Sequence, residues 1–147
     1  MSLLNYSTKI SPEQTISEIQ QMLVDFNVNG MLTEYEGRQV RAVSFRINVD
    51  GQDIAFRMPC NWRGVYVILK EDSRVPGKLK TEEQAIRVAW RIIQTWIKGQ
   101  LAMVEVNMVT IPQVFLPYAI MKDDRTLSEH VAENPQNLLG GGGAQNN

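Results

Sequence analysis

The stretch QAIRVAWRIIQTWIKGQLAM (84–103) is apolar almost throughout, yet Arg87, Arg91 and Lys98 interrupt it. With Gln84, Gln94 and Thr95 they step by three or four, so on a helix they share one stripe. Guanidinium groups suit bidentate recognition of phosphate or carboxylate, so the chemistry offered is anion binding. A second arginine pair, Arg46 and Arg57, lies in AVSFRINVDGQDIAFRM (42–58). A third group, Trp62 and Tyr66 beside Arg63 and Lys70, has the content of an exposed base-stacking surface. Arg46, Arg57, Arg87, Arg91, Lys98, Trp62 and Tyr66 are therefore the candidate ligand-binding residues. The competing reading of the stripe is a solvated face, with side-chain stems lying over tryptophan. Arg46 and Arg57 can join the stripe only if the polar sheet face meets it.

Catalytic chemistry is poorly provided for. The lone His130 falls near the end of the folded part, and Cys60 has no second cysteine and no neighbouring histidine. Asp50, Asp53, Asp123 and Asp124 read as turn residues before they read as metal ligands. Acid–base and nucleophilic routes therefore lack their usual partners. No catalytic residue, metal or cofactor is expected. A single cysteine excludes an internal disulfide and suits a reducing cytoplasm.

Positioning these side chains requires elements, and the sequence marks most of them. Ser11-Pro12-Glu13 is a helix start, with Thr15 and Glu18 as a second candidate. Ile16, Ile19, Met22, Leu23 and Phe26 give that helix one buried face, ending near Asn27–Gly30. Met31 to Glu36 then alternate as a half-buried strand. Asp50-Gly51 between two alternating runs predicts a hairpin. A loop of those two residues pairs Val49 with Gln52, Ile47 with Ile54, Phe45 with Phe56 and Val43 with Met58. The other face carries Ser44, Arg46, Asn48, Asp53, Ala55 and Arg57. Residues 61–72 read as a short helix packed by Val65, Ile68 and Leu69, with a strand as rival because of Gly64 and the β-branched residues. SRVPGKLK (73–80) is a basic loop. Thr81 caps the long helix, which runs to about Asn107, apolar nearly all round and hence central. Thr110 starts a short apolar helix, and Asp124-Arg125-Thr126 cap another over 127–133.

The expected fold class is α+β: a three-stranded antiparallel sheet, an N-terminal helix and a C-terminal helical layer built on one long central helix. Residues 1–133 form one domain. Residues 134–147, with a run of glycines, form a flexible tail. No apolar run reaches the length of a membrane span, and no basic-then-apolar leader opens the chain.

The net charge of −1 conceals a pattern. Residues 1–37 hold one lysine and five acids, a balance of −4. Residues 38–98 hold twelve basic and six acidic residues, a balance of +6. Residues 99–147 hold two basic and five acidic residues, a balance of −3. The middle is basic, though less so than in a protein that coats DNA without selectivity.

Taken together, KISPEQTISEIQQMLV, IAFRMP, AIRVAWRIIQTWIKGQLAMVE and VFLPYAI resemble a family of small uncharacterised proteins encoded by tailed phages and prophages. The likeness spans about residues 6–130 and leaves out the glycine tail. It implies a phage or prophage origin and a host-cytoplasm setting, and no particular reaction. Arg57, Arg87, Trp90, Arg91, Trp96 and Lys98 fall within the recurring segments.

Three functions follow as expectations. The first is a non-enzymatic nucleic-acid-binding accessory of phage DNA metabolism. The second is sequestration of a nucleotide defence signal, a counter-defence role that a compact arginine site would suit. The third is a structural or inhibitory module that binds another protein. A homo-oligomer would serve all three, and no membrane partner is expected.

Overall fold

The computed structural model describes residues 3–138, and the side chain of residue 137 is not described. The expected tail beyond residue 138, Leu139 included, lies outside the described residues; Pro135–Asn137 form a 3₁₀ turn.

The chain is α+β. Helix α1 (Pro12–Val24) leads into strands β1 (Val28–Glu36), β2 (Gln39–Val49) and β3 (Gln52–Pro59). Helices α2 (Trp62–Glu71), α3 (Glu82–Glu105), α4 (Ile111–Phe115) and α5 (Leu127–Glu133) follow. The strands form an antiparallel meander in the order β1-β2-β3.

The hairpin register is the one that alternation and Asp50-Gly51 predict. Val49 pairs with Gln52, Ile47 with Ile54, Phe45 with Phe56 and Val43 with Met58. Asp50 and Gly51 both take positive φ, 50° and 88°, as a two-residue turn that follows the strand twist requires. The inner face of this hairpin is the floor of the core. Phe45, Phe56 and Phe115 pack there with ring centroids 5.1–5.9 Å apart, joined by Ile16 and Ile19 of α1 and Trp90 and Ile97 of α3. The outer face carries Arg46 and Arg57.

Helix starts also follow the sequence. Ser11, Thr81, Thr110 and Thr126 each accept a backbone N–H three residues on. Four boundaries differ from expectation. Helix α1 stops at Val24, because Asn27 adopts φ 64° and turns the chain at once into β1. That lets β1 begin at Val28 rather than Met31. Strand β2 begins at Gln39, because the Gly37 turn (φ 62°) is tight. Helix α3 ends at Glu105, and Asn107 at φ 63° supplies the left-handed exit.

Residues 61–72 are helical. Leu69 of α2 is fully buried with Val75 and Ala85, but Ile68 is 47% exposed and does not pack as expected. One pairing was not foreseen. Ala119 and Ile120 lie against β3, with the Ile120 N–H donating to the Ala55 carbonyl at 2.8 Å. This brings the 120–126 turn onto the outer sheet face. Among the described residues no helix is long and apolar enough to cross a membrane.

Candidate functional site

The middle of the α3 stripe meets α1, while Thr95 and Lys98 at its end stay exposed. Arg91 and Gln94 form a seam between α3 and α1. Arg91 donates to Glu18 of α1 at 2.8 Å and to the Thr15 hydroxyl at 3.4 Å. Gln94 also reaches Glu18, at 3.2 Å. Gln84 is buried and donates to the Tyr6 and Thr8 carbonyls, tying down the N-terminal segment. Arg87 in turn donates to the Gln84 side-chain oxygen at 3.2 Å. Glu18 lies below the usual carboxylate range: hydrogen bonds from Gln14 and Arg91 outweigh its slight desolvation. Lys98, at the far end of the stripe, is exposed.

Arg46 and Arg57 do not join this stripe, because the sheet separates them from it. Arg57 is 18% exposed, and each of its three nitrogens is engaged. Its Nε donates to Glu34 at 3.0 Å, and its terminal nitrogens donate to the Asp124 carbonyl at 2.9 Å and carboxylate at 3.0 Å. Glu34 also accepts from Arg41 and from Ser44, each at 3.2 Å. Burial pushes the Glu34 carboxyl up, but Arg57, Ser44 and Arg41 together hold it below its ordinary value. Arg46 donates to Asn29 at 2.8 Å and lies 3.8 Å from Asp53. Its guanidinium also crosses Gly30, where an added Cβ would sit 3.0 Å from it.

The third group stands apart. Trp62 and Tyr66 lie one turn apart on α2, ring centroids 6.3 Å from each other. The Arg63 guanidinium rests 4.8 Å from the Trp62 ring centre, and the Lys70 ammonium 5.0 Å from that of Tyr66. Both rings are half-buried, packed by one side onto Leu69 and Val75. Among the described residues Arg63 and Lys70 form no ion pair. Trp90 is wholly buried in the core, whereas Trp96 is half-buried, packs on Phe115 and Tyr118 and keeps part of its surface open.

The remaining reactive groups are quiet. Cys60 is buried, which pushes its thiol up to about 12 and leaves it protonated. His130 sits 3.0 Å from Asp123 at the surface. Among the described residues no group of three or more His, Cys, Asp or Glu side chains is placed to hold a metal.

Sequence reasoning missed Arg41, Glu34, Asn61 and Tyr118. The hairpin register already put Ser44 opposite Arg57, so an acid on the same face of β1 was the signal for Glu34. Asn61 and Tyr118 carried no signal, since their surroundings depend on how α2 and the 116–118 turn dock. The candidate residues thus occupy three places, and only the α2 group presents uncompensated charge beside aromatic surface. Comparison with protein-family models, with curated proteins and with solved structures finds no match to this chain.

Proposed function

We propose that the chain is a non-enzymatic nucleic-acid-binding protein that engages single strands along α2. On the resemblance described above, its setting is phage DNA metabolism in the host cytoplasm. The observation that carries this reading is the pair of cation–aromatic contacts on α2, Arg63 on Trp62 and Lys70 on Tyr66. Phosphates attract the cations and bases stack on the rings, whatever the sequence. Lys78 and Lys80 follow in the adjoining loop and lengthen the basic track.

A labelled fifteen-base single strand, followed by fluorescence anisotropy at low salt, tests it. Trp62→Ala removes a stacking platform worth about 1–3 kcal/mol, roughly five- to 150-fold in affinity. Arg63→Gln weakens binding without touching the core, since Arg63 is exposed. Arg46→Gln and Arg91→Gln leave affinity unchanged, because both arginines are committed to Asn29 and Glu18. No binding by the wild type, or equal binding by wild type and Arg63→Gln, ends the proposal.

A further inference from the structure

The first turn of α2 stands where two hollows meet. One, of about 310 Å³, is an open apolar hollow lined by Met58, Val65, Ala89, Ile93 and Trp96. The other, of about 750 Å³, is polar and bordered by Arg41, Arg57, Trp62 and Arg63, with Glu36 and Glu129 also on its wall. Pro59, Asn61 and Tyr118 line both, so the two hollows adjoin at these residues as a two-part cleft. Each is of the size that small-molecule sites occupy, ~300–1,000 Å³.

The seam is unusual. Asn61 is the N-cap of α2, yet its side chain makes no capping bond, and the first turn holds no acid. The N–H groups at this end are therefore open to an anion. The Cys60 N–H donates to the Arg41 carbonyl at 2.8 Å, which ties the turn before α2 to β2 and holds Arg41 beside it. Arg57 bonds Glu34 and Asp124 through all three of its nitrogens and serves as wall. Arg41 gives one nitrogen to Glu34 and is otherwise solvated, 61% exposed.

We infer that this cleft seats one nucleotide unit. Its base enters the apolar chamber against Trp96 and Tyr118. Its phosphate stays in the polar chamber near Arg63, Arg41 and the start of α2. The Asn61 amide, free in the seam, meets the base edge, as asparagine suits adenine. An apolar hollow alone would accept any nonpolar body, and an arginine-lined groove alone any anion. Joined at one seam, they call for a ligand aromatic at one end and anionic at the other. Glu36 and Glu129 keep phosphate at the α2 side, and they can accept hydrogen bonds from sugar hydroxyls or exocyclic amines. The phosphate half of this inference rests on the reading of α2 given above, and the unit could come from a strand or be free.

Tryptophan fluorescence during titration with adenosine monophosphate, and in parallel with ribose 5-phosphate, tests the cleft, since Trp62 and Trp96 border its two chambers. Adenosine monophosphate should bind about tenfold or more tightly than the base-free sugar phosphate. Asn61→Ala should remove much of that preference without lowering the melting temperature, having no capping bond to lose. Ala89→Leu should fill the apolar chamber and bring the two ligands to similar affinity. Equal binding of the two ligands by the wild type, no binding of adenosine monophosphate, or an unchanged preference in a folded Asn61→Ala protein each overturns the inference. If the fifteen-base strand binds and adenosine monophosphate does not, the cleft fails and the α2 surface stands. If adenosine monophosphate binds and the strand does not, the cleft stands, with a free nucleotide as its ligand, and the strand reading fails.

Discussion

Arginines of one sequence stripe and one hairpin differ in what they can do because of what lies across from them. Arg91 is 17% exposed and Glu18 33%, so their contact is partly shielded from water and joins two helices. Arg91→Gln should lower stability by about 1–2 kcal/mol, below the range for a fully buried charged hydrogen bond, while leaving strand binding intact. The pH dependence has a definite sign. Glu18 is held below its ordinary value of 4.5, so its contribution is present at neutral pH and is lost as pH falls below that value. Melting curves at pH 7 and pH 3 should show the gap between wild type and Arg91→Gln shrinking in acid. A gap that persists at pH 3 would detach Arg91's role from Glu18. Glu34 is the corresponding residue on the outer sheet face, holding Arg57, Arg41 and Ser44. Glu34→Gln should cost about 2 kcal/mol, since it leaves the largely buried Arg57 with less compensation. A melt within about 0.5 kcal/mol of wild type would mean that Asp124 alone satisfies Arg57.

Elements were legible wherever a local signal and a periodic pattern agreed. Asp50-Gly51 fixed the loop, and period-2 alternation then fixed every pair from Val43–Met58 to Val49–Gln52. The side-chain caps at Ser11, Thr81, Thr110 and Thr126 were legible because a hydroxyl accepting a backbone N–H is a local event. Exits were less legible: Asn27 and Asn107 end helices by adopting positive φ, a choice the sequence permits at many asparagines. Long-range docking was not legible at all, which is why the Ala119–Phe56 bridge and the Asn61 seam went unforeseen. Helix α2 itself yields a prediction. Gly64 lies within it at an ordinary helical φ, and an added Cβ would meet nothing within 4 Å. Gly64→Ala should therefore stabilise by about 0.5–1 kcal/mol, through helix propensity and a less flexible unfolded chain. A lower melting temperature would show that the first turn of α2 must flex. In the opposite sense Gly51→Val, at φ 88°, should cost about 1–2 kcal/mol.

At the scale of the whole molecule, the basic middle segment is mostly an accounting of neighbours. Of its twelve basic residues, Arg41, Arg46, Arg57, Arg74 and Arg91 form ion pairs with acids. Three of those acids, Glu18, Glu34 and Asp124, come from the acidic flanks. The charge asymmetry visible in the sequence is thus partly spent in holding the fold together. Of the other seven, Arg63, Lys70, Lys78 and Lys80 follow one another along α2 and its loop, while Arg38, Arg87 and Lys98 lie elsewhere. This division predicts the salt dependence of strand binding. Each phosphate contact on a single strand contributes about −0.7 to the slope of log affinity against log salt, because a condensed counterion is released. Four contacts would give a slope of about −3, far from the steep values of proteins that coat DNA. Lys70→Gln with Lys78→Gln should reduce the slope by about 1.4, since two of the contacts are gone. Arg46→Gln with Arg91→Gln should leave it in place, because those charges are balanced by Asp53 and Glu18. Anisotropy titrations at several salt concentrations would measure both double variants against the wild type. A slope that falls equally in the two would mean that the strand responds to net charge over the whole surface, and α2 would lose its claim to be the binding face.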